Sequence, residues 1–343
     1  MRIGVLTGGG DCPGLNAAIR AVVRGASNRG WSTVGFLDGW AGVLHHRSMP
    51  MSVENTDGAL GVGGTLLGSS RTNPLRKAED YATLKALFTD EKFDALVAIG
   101  GDDTLSVASA LARDGYAVAG IPKTIDNDVP DTEACIGFDT AVGVIVDAIQ
   151  RLRTTTTSHH RITVVEAMGR AAGWLAASGG IAGGADYIAV PELKVSYDEI
   201  LKHVDGRWRR GLNYSIAVVA EGADVSGLEV AEAAVQAADQ FGHVQLASRS
   251  VGETLAKKLE ASTGVEARSS VLGHLQRGGS PTPFDRLLGT RCGAAVVDWI
   301  AEGKLGMMAA FQNGKIVPMP LAGIAGRTRP LDPSFFPLLT MFD

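Results

Sequence analysis

Short runs of consecutive apolar residues recur along the chain at 3–6, 95–99, 117–121, 162–165 and 216–220. Between them, at 15–28, 78–88, 105–113, 140–156 and 197–210, apolar positions return every three to four residues. Runs that are apolar at every position predict strands covered on both faces, and the longer period predicts helices packed on them. Strands alternating with helices predict βαβ units, a parallel sheet and an α/β fold class. No short-period repeat, low-complexity tract or Pro/Ser-rich linker interrupts the pattern.

Glycine changes this picture most. Its 44 copies cluster where predicted strands end, and ligands of open α/β sheets bind at strand C-terminal ends. The first such loop, Thr7-Gly8-Gly9-Gly10-Asp11-Cys12-Pro13-Gly14, follows a strand and opens a helix. Glycines there let backbone N–H groups approach an anion at a helix N-terminus. The loop is not a Walker A motif, and Pro13 breaks GxGxxG. A second loop, Gly63 to Arg71, adds hydroxyls and a guanidinium, and by itself reads as a surface loop before a binding loop. A third, Gly100-Gly101-Asp102-Asp103-Thr104, puts carboxylates at a strand end, where a magnesium–phosphate corner or a helix cap is expected. The fourth, Pro122-Lys123-Thr124-Ile125-Asp126-Asn127-Asp128, is the most informative. Phosphoryl transfer to a hydroxyl needs a carboxylate to take the proton, acidic ligands for a metal, and a cation for the developing charge. That loop supplies all three.

Charge and cysteine content narrow the class. The net charge is −5, which excludes a global field for nucleic acid or an anionic membrane. An anion site must then be a local gathering of Arg and Lys. Three widely spaced cysteines without CxxC argue for a reducing, cytoplasmic setting. The most weakly charged stretch, 171–190, carries five glycines and Asp186, so no membrane span is expected, and the first residues lack a signal-peptide layout. In the second half, Arg161, Met168-Gly169-Arg170, Glu221, Arg268, His274 and Arg277 all flank predicted strands. Arginine at several strand ends of an acidic chain points to an anionic ligand. The neighbouring His159 and His160 would point to opposite faces of a strand, so a packing or surface role is expected for them.

The segments GGGDCPGLNAAIR, GGTLLGSSRTNP, GGDDT, PKTIDND, GFDTA, RITVVEAMGR, VVAEG and VLGHLQRGGSPTPFDR, in this order, resemble the bacterial-type phosphofructokinases from Met1 to about Val317. The resemblance implies two Rossmann-like α/β domains with the active site in the cleft between them. The expected division is 1–137 plus 281–329 for the phosphoryl donor and 138–280 plus 330–343 for fructose 6-phosphate. It implies Asp126 as the base for the sugar 1-hydroxyl. Thr124, Arg170 and Lys123 would attend the transferring group. Gly10, Arg71, Asp102, Asp103 and Thr104 would line the donor side, and Asp102 and Asp128 would hold Mg2+. Thr124, Asp126, Asp128, Met168, Gly169, Arg170, Glu221, His274 and Arg277 would face the sugar phosphate. Arg161 and Arg268 match positions that reach it from a neighbouring subunit, implying a homo-oligomer, dimer or tetramer, with composite sites. Arg20, Arg24 and Arg153 match the regulated relatives' effector positions incompletely, so weak or absent nucleotide and phosphoenolpyruvate control is expected.

Two positions depart from the ATP-using pattern of GGDG and PGTIDND: Asp103 and Lys123 replace its glycines. A carboxylate there occupies room for the nucleotide's α-phosphate and repels it by roughly 3 kcal/mol at about 5 Å and an effective dielectric near 20. Lys123 attracts a compact diphosphate by a similar amount. Both resemble the pyrophosphate-dependent branch. The expected reaction is reversible transfer from pyrophosphate to fructose 6-phosphate; the rivals are an ATP-dependent enzyme using the same residues and a silent sugar-phosphate-binding regulatory subunit.

Overall fold

In a computed structural model, residues 1–230 and 249–340 are described. The chain forms β1 (Arg2–Thr7), α1 (Leu15–Ser27), β2 (Ser32–Phe36), α2 (Trp40–Leu44) and β3 (Ser48–Met51). It continues with α3 (Ala78–Thr89), β4 (Ala95–Gly100), α4 (Asp102–Arg113), β5 (Val118–Pro122) and α5 (Phe138–His159). Next come β6 (Ile162–Ala167), α6 (Trp174–Gly183), β7 (Tyr187–Ala189), β8 (Val195–Ser196), α7 (Tyr197–Arg209), β9 (Ser215–Ala220) and β10 (Val225–Ser226). The last elements are α8 (Val251–Thr263), β11 (Ala267–Val271), α9 (Pro283–Ala301), β12 (Met307–Gln312) and β13 (Lys315–Pro320).

The chain divides into two compact units. Unit 1 holds Met1–Thr140 and Arg277–Arg329; unit 2 holds 141–230, 249–276 and 330–340. Unit 1 is built on one sheet of order β13-β12-β5-β4-β1-β2-β3. Its five inner strands are parallel, and only the outer β3 and β13 run antiparallel. Every residue of β4 and β5 is buried, which explains why these strands read as unbroken apolar runs. Each fully buried Val, Leu or Ile contributes about 1.5–3 kcal/mol relative to exposure. Helix α9 lies close on α1 because Gly289 and Gly293 have no side chain; a Cβ would sit 2.8 Å from the Gly14 carbonyl or 2.6 Å from that of Ala18.

Unit 2 is built on a four-stranded, all-parallel sheet of order β11-β6-β9-β7. Ile145 and Ile149 of α5 pack into spaces left by Gly179 and Gly183 of α6. No helix among the described residues is long and apolar enough to cross a membrane.

Two local expectations are corrected. Helix α4 begins at Asp102, not Leu105, and its N-cap is Gly101. Asp102 and Asp103 are therefore in the first helical turn, where carboxylates complement the helix dipole, and neither Asp103 nor Thr104 is the cap. His159 ends α5 and His160 has φ 54°, so the pair closes a helix instead of standing in a strand; both are exposed.

Candidate active site

In unit 1, β1, β4 and β5 are parallel neighbours, with Thr7 opposite Ile99 and Gly100 opposite Pro122. Their C-terminal ends share one sheet edge, and this alone gathers the first, third and fourth loops. Backbone bonds lock them: Gly8 N–H donates to the Ile99 carbonyl at 3.0 Å, and Lys123 N–H to the Gly100 carbonyl at 3.0 Å. A Cβ on either Gly8 or Gly100 would collide with the Thr104 side chain, so both glycines are required by the hydroxyl they surround.

The second loop belongs to the same edge. Gly9 N–H donates to the Ser70 carbonyl at 3.0 Å, and Ser69 Oγ donates to the Gly9 carbonyl. Thr7 Oγ1 shares a hydrogen bond with Thr65 Oγ1 at 2.8 Å and donates to the Gly68 carbonyl at 2.7 Å. Asn16, buried in α1, accepts from Leu66 N–H at 2.8 Å and donates to the Val62 carbonyl at 3.0 Å. The sequence gives one signal for Asn16, a polar residue on the apolar face of a helix. Arg71 follows this loop and is exposed.

The charged groups lie inside this frame. Lys123 is 2% exposed and its Nζ donates to the Gly10 carbonyl. Burial lowers its pKa, the Arg277 charge adds to that, and the nearby Cys12 and Asp126 oppose it. Arg277 fits against Gly10, where a Cβ would strike its guanidinium, and donates from Nη1 to the Asp11 carbonyl at 3.3 Å. Expected among the sugar-phosphate residues, Arg277 sits in unit 1 against the first glycine loop, beside Lys123. Two cations therefore converge on Gly9–Asp11. Cys12 is buried beside them with its thiol pushed up to about 12, chiefly by burial. Asp126 is 3% exposed; its N–H donates to Thr124 Oγ1 at 3.1 Å, which fixes the turn between hydroxyl and carboxylate. Asp128 is buried near Cys135, and its carbonyl accepts Arg329 N–H at 2.7 Å.

No group of three or more His, Cys, Asp or Glu that could hold a metal ion occurs among the described residues. A magnesium ion does not need one: it is usually held by one or two carboxylates, with substrate phosphates and water completing the octahedron. Asp102 opens α4 after β4 and Asp128 follows β5, so both carboxylates are on segments that leave this sheet edge.

Asp285 was not anticipated as part of this frame. It is 0% exposed and accepts from Gly137 N–H at 2.8 Å, Thr140 N–H at 2.8 Å and Thr140 Oγ1 at 2.5 Å. It thereby ties the start of α9 to the start of α5. Burial pushes its carboxyl up to about 6, and the three donors pull it back. Thr282 followed by Asp285 is a capping pattern visible in sequence; its second task, at another helix, is not.

In unit 2, β6, β9 and β11 are parallel, and Ala167 pairs with Ala220. Met168-Gly169-Arg170, Glu221 and the turn Gly273–Arg277 all leave this sheet at its C-terminal edge. Arg170 has φ 53°, and its N–H donates to Glu221 Oε1 at 3.1 Å. Gly169 has φ 139°, and a Cβ there would lie 2.5 Å from the Ala172 carbonyl. Met168 N–H donates to Oε1 of the fully buried Gln276 at 3.3 Å, an anchor not read from the sequence. His274 stands exposed in the turn after β11.

Arg161 and Arg268 do not join this set. They lie at the opposite, N-terminal edge of the sheet, where both bond Glu266. The six-residue β6 separates the edges by about 20 Å. Two of the three effector-type arginines are engaged within the chain: Arg24 pairs with Asp57 at 2.5 Å, and Arg153 donates to the Gly183 carbonyl at 3.2 Å.

A family model described as phosphofructokinase matches residues 2–300. The pyrophosphate–fructose 6-phosphate 1-phosphotransferase of Dictyoglomus thermophilum is 46% identical, over 100% of this chain and 98% of that one. The ATP-dependent 6-phosphofructokinase 2 of Streptomyces coelicolor is 44% identical, over 94% of each chain. A solved structure of a pyrophosphate-dependent phosphofructokinase from Marinobacter aquaeolei matches with a TM-score of 0.82 at 22% identity, covering 97% of this chain and 86% of that one, and bears on the fold alone. The parallel sheets, the loops at their C-terminal edges and the match across most of the sequence agree: the chain belongs to the phosphofructokinase family.

Proposed function

We propose that this enzyme transfers a phosphoryl group reversibly from pyrophosphate to the 1-hydroxyl of fructose 6-phosphate. The observation that carries the choice of donor is Lys123, buried with its ammonium on the Gly10 carbonyl and next to Arg277. A compact diphosphate gains from a cation placed on the glycine loop. A nucleotide must also bring an α-phosphate past Asp103, at the start of α4. The relatives named for pyrophosphate use point the same way.

In this reading Asp126 takes the proton of the 1-hydroxyl as its oxygen attacks the near phosphorus of pyrophosphate, and the bridging bond breaks to release phosphate. Thr124 and Arg170 bind the transferring group, and Lys123 balances charge on the leaving phosphate. Asp102 and Asp128 would hold magnesium, which when bound neutralises phosphate charge. Gly10, Arg71, Asp103 and Thr104 line the donor side. Met168, Gly169, Glu221, His274 and Arg277 hold the sugar phosphate. The setting is cytoplasmic. The donor residues 1–137 and 281–329 and the acceptor residues 138–280 and 330–343 form the two domains.

Arg161 and Arg268 lie about 20 Å along the sheet from Arg170 and Glu221. They cannot serve the acceptor set of their own unit, so a second copy of the chain must supply them if they bind the sugar phosphate. Mixing inactive Asp126→Ser with inactive Arg268→Glu chains would restore part of the activity. Failure of every mixture would show that the site needs one chain only.

The deciding assay couples aldolase to the purified enzyme with fructose 6-phosphate and magnesium, comparing pyrophosphate with ATP. Activity with pyrophosphate supports the reading. Activity with ATP alone replaces the donor and keeps the catalytic residues.

A further inference from the structure

Residues 124–135, which carry Asp126 and Asp128, form neither helix nor strand. The backbone polar groups of so buried a segment must be met by side chains or by other parts of the chain. Its far arm is held by β12: Glu133 N–H donates to the Phe311 carbonyl at 2.8 Å, and Phe311 N–H donates to Thr132 Oγ1 at 3.0 Å. The near arm, beside the carboxylates, is held in another way.

Asn127 stands between Asp126 and Asp128 with φ 55°, in the left-handed region. Asparagine enters that region more readily than most residues, but a residue with a side chain stays there only where its surroundings impose it. Its side chain spans the loop, accepting Cys135 N–H at 2.9 Å and donating to the Glu133 carbonyl at 3.2 Å.

Main-chain carbonyls on both arms are met by one residue 202 positions away in the sequence, Arg329. Its N–H donates to the Asp128 carbonyl at 2.7 Å, its Nε to the Asn127 carbonyl at 3.2 Å and its Nη2 to the Glu133 carbonyl at 3.0 Å. A guanidinium is a rigid planar fork. With one prong on each arm, it fixes the distance between them. Arg329 and Asp128 both lie near Cys135, whose thiol is pushed up by burial and by the Asp128 charge, while the Arg329 charge opposes them. Arg327, two residues earlier on the same tail, differs. It is exposed and pairs with Asp131 at 3.0 Å, at the outer part of the loop, where an ion pair contributes little.

We propose that Arg329 is a positioning residue for phosphoryl transfer: its guanidinium and its own N–H hold Asn127 in the left-handed region and thereby place the carboxylates of Asp126 and Asp128. The role rests on the reading of Asp126 as the base. Arg329 acts through the loop and touches neither substrate.

The test joins amide hydrogen exchange with kinetics on the full chain. In Arg329→Ala, exchange across residues 124–136 should quicken by about tenfold or more, the equivalent of one charged hydrogen bond lost. Exchange in β4 should stay constant, which shows that the variant folds. Its kcat should fall by about tenfold to a hundredfold, as expected for a displaced catalytic group, with KM for fructose 6-phosphate nearly unchanged. Arg329→Lys keeps a cation but not the fork, and its kcat should lie between the two. Free guanidinium below denaturing concentrations should restore part of kcat to Arg329→Ala and none to Asp126→Ser. Arg327→Ala should match the unmodified chain in both measurements. Unchanged exchange in Arg329→Ala overturns the clamp, whether or not the chain transfers phosphoryl groups. Faster exchange with unchanged kcat overturns the positioning role and leaves the reading of Asp126 intact. Equal losses of kcat in Arg327→Ala and Arg329→Ala would mean that the tail only stabilises the fold, and would overturn the assignment to Arg329.

Discussion

The two sheets end in chemically different edges. In unit 1 the charged groups Lys123 and Asp126 are 2% and 3% exposed and are set by backbone bonds and by glycines that admit no side chain. In unit 2 Met168 and Arg170 are half-buried and His274 is exposed. There the Met168 and Arg170 N–H groups are fixed by Gln276 and Glu221, so it is the main chain that is positioned. Charge placed where water is excluded acts at a lower effective dielectric and is worth more to a transition state. The unit 1 edge suits the reacting centre, and the unit 2 edge suits selection of an acceptor. Each change below should then move rate or binding according to the edge it touches.

Replacing Asp126 by Ser has the largest expected effect. Removing a general base costs about 10²–10⁴ in turnover. The loss should fall on kcat, with fructose 6-phosphate affinity nearly intact, because the base acts in the transition state. A variant with near-normal kcat would remove Asp126 from that role.

The donor side gives the next effect. Asp103→Gly with Lys123→Gly removes a repulsion and an attraction of roughly 3 kcal/mol each. The ratio of kcat/KM for ATP over pyrophosphate should rise by two orders of magnitude or more. An unchanged ratio would show that donor choice resides elsewhere on the edge. Glu221→Gln belongs to the other edge. It keeps the oxygen that accepts Arg170 N–H and loses the charge, so KM for fructose 6-phosphate should rise by about tenfold while KM for pyrophosphate stays constant. Equal changes in both constants would erase the contrast between the edges.

Much of this arrangement is legible in the sequence. The inner strands of unit 1 are covered on both faces and stand out as apolar runs, and the loops after them carry the glycines and carboxylates. The outer strands are harder to read. In β13 the burial alternates and Pro318 and Pro320 interrupt it, as an edge strand allows. The first turn of α4 was hidden because Asp102 and Asp103 break the apolar period that marks the rest of the helix. Contacts across the fold left the weakest trace. Gln276 looks like one polar residue in a glycine-rich turn, and only the tertiary structure brings it to Met168. The opposite-edge placement of Arg161 and Arg268 follows from the direction of two strands, not from the residues themselves.

Asp285 carries the smallest expected effect, and it concerns stability. Its folded carboxyl is pushed from 3.8 up to about 6, mainly by burial. A carboxyl raised on folding binds its proton more tightly in the folded chain. Between pH 3.8 and about 6 the unfolded chain has released that proton while the folded chain still holds it. The group's contribution is therefore greatest at low pH and fades as pH rises through that window. Asp285→Asn abolishes the titration, so the slope of Tm against pH across the window should become more positive than in the unmodified chain. The amide also turns a donor toward Gly137 and Thr140, whose N–H and hydroxyl groups need an acceptor. A loss of about 1–3 kcal/mol at neutral pH should follow from that mismatch. A slope that shifts the other way would mean that the three donors outweigh burial and hold Asp285 ionised in the folded chain.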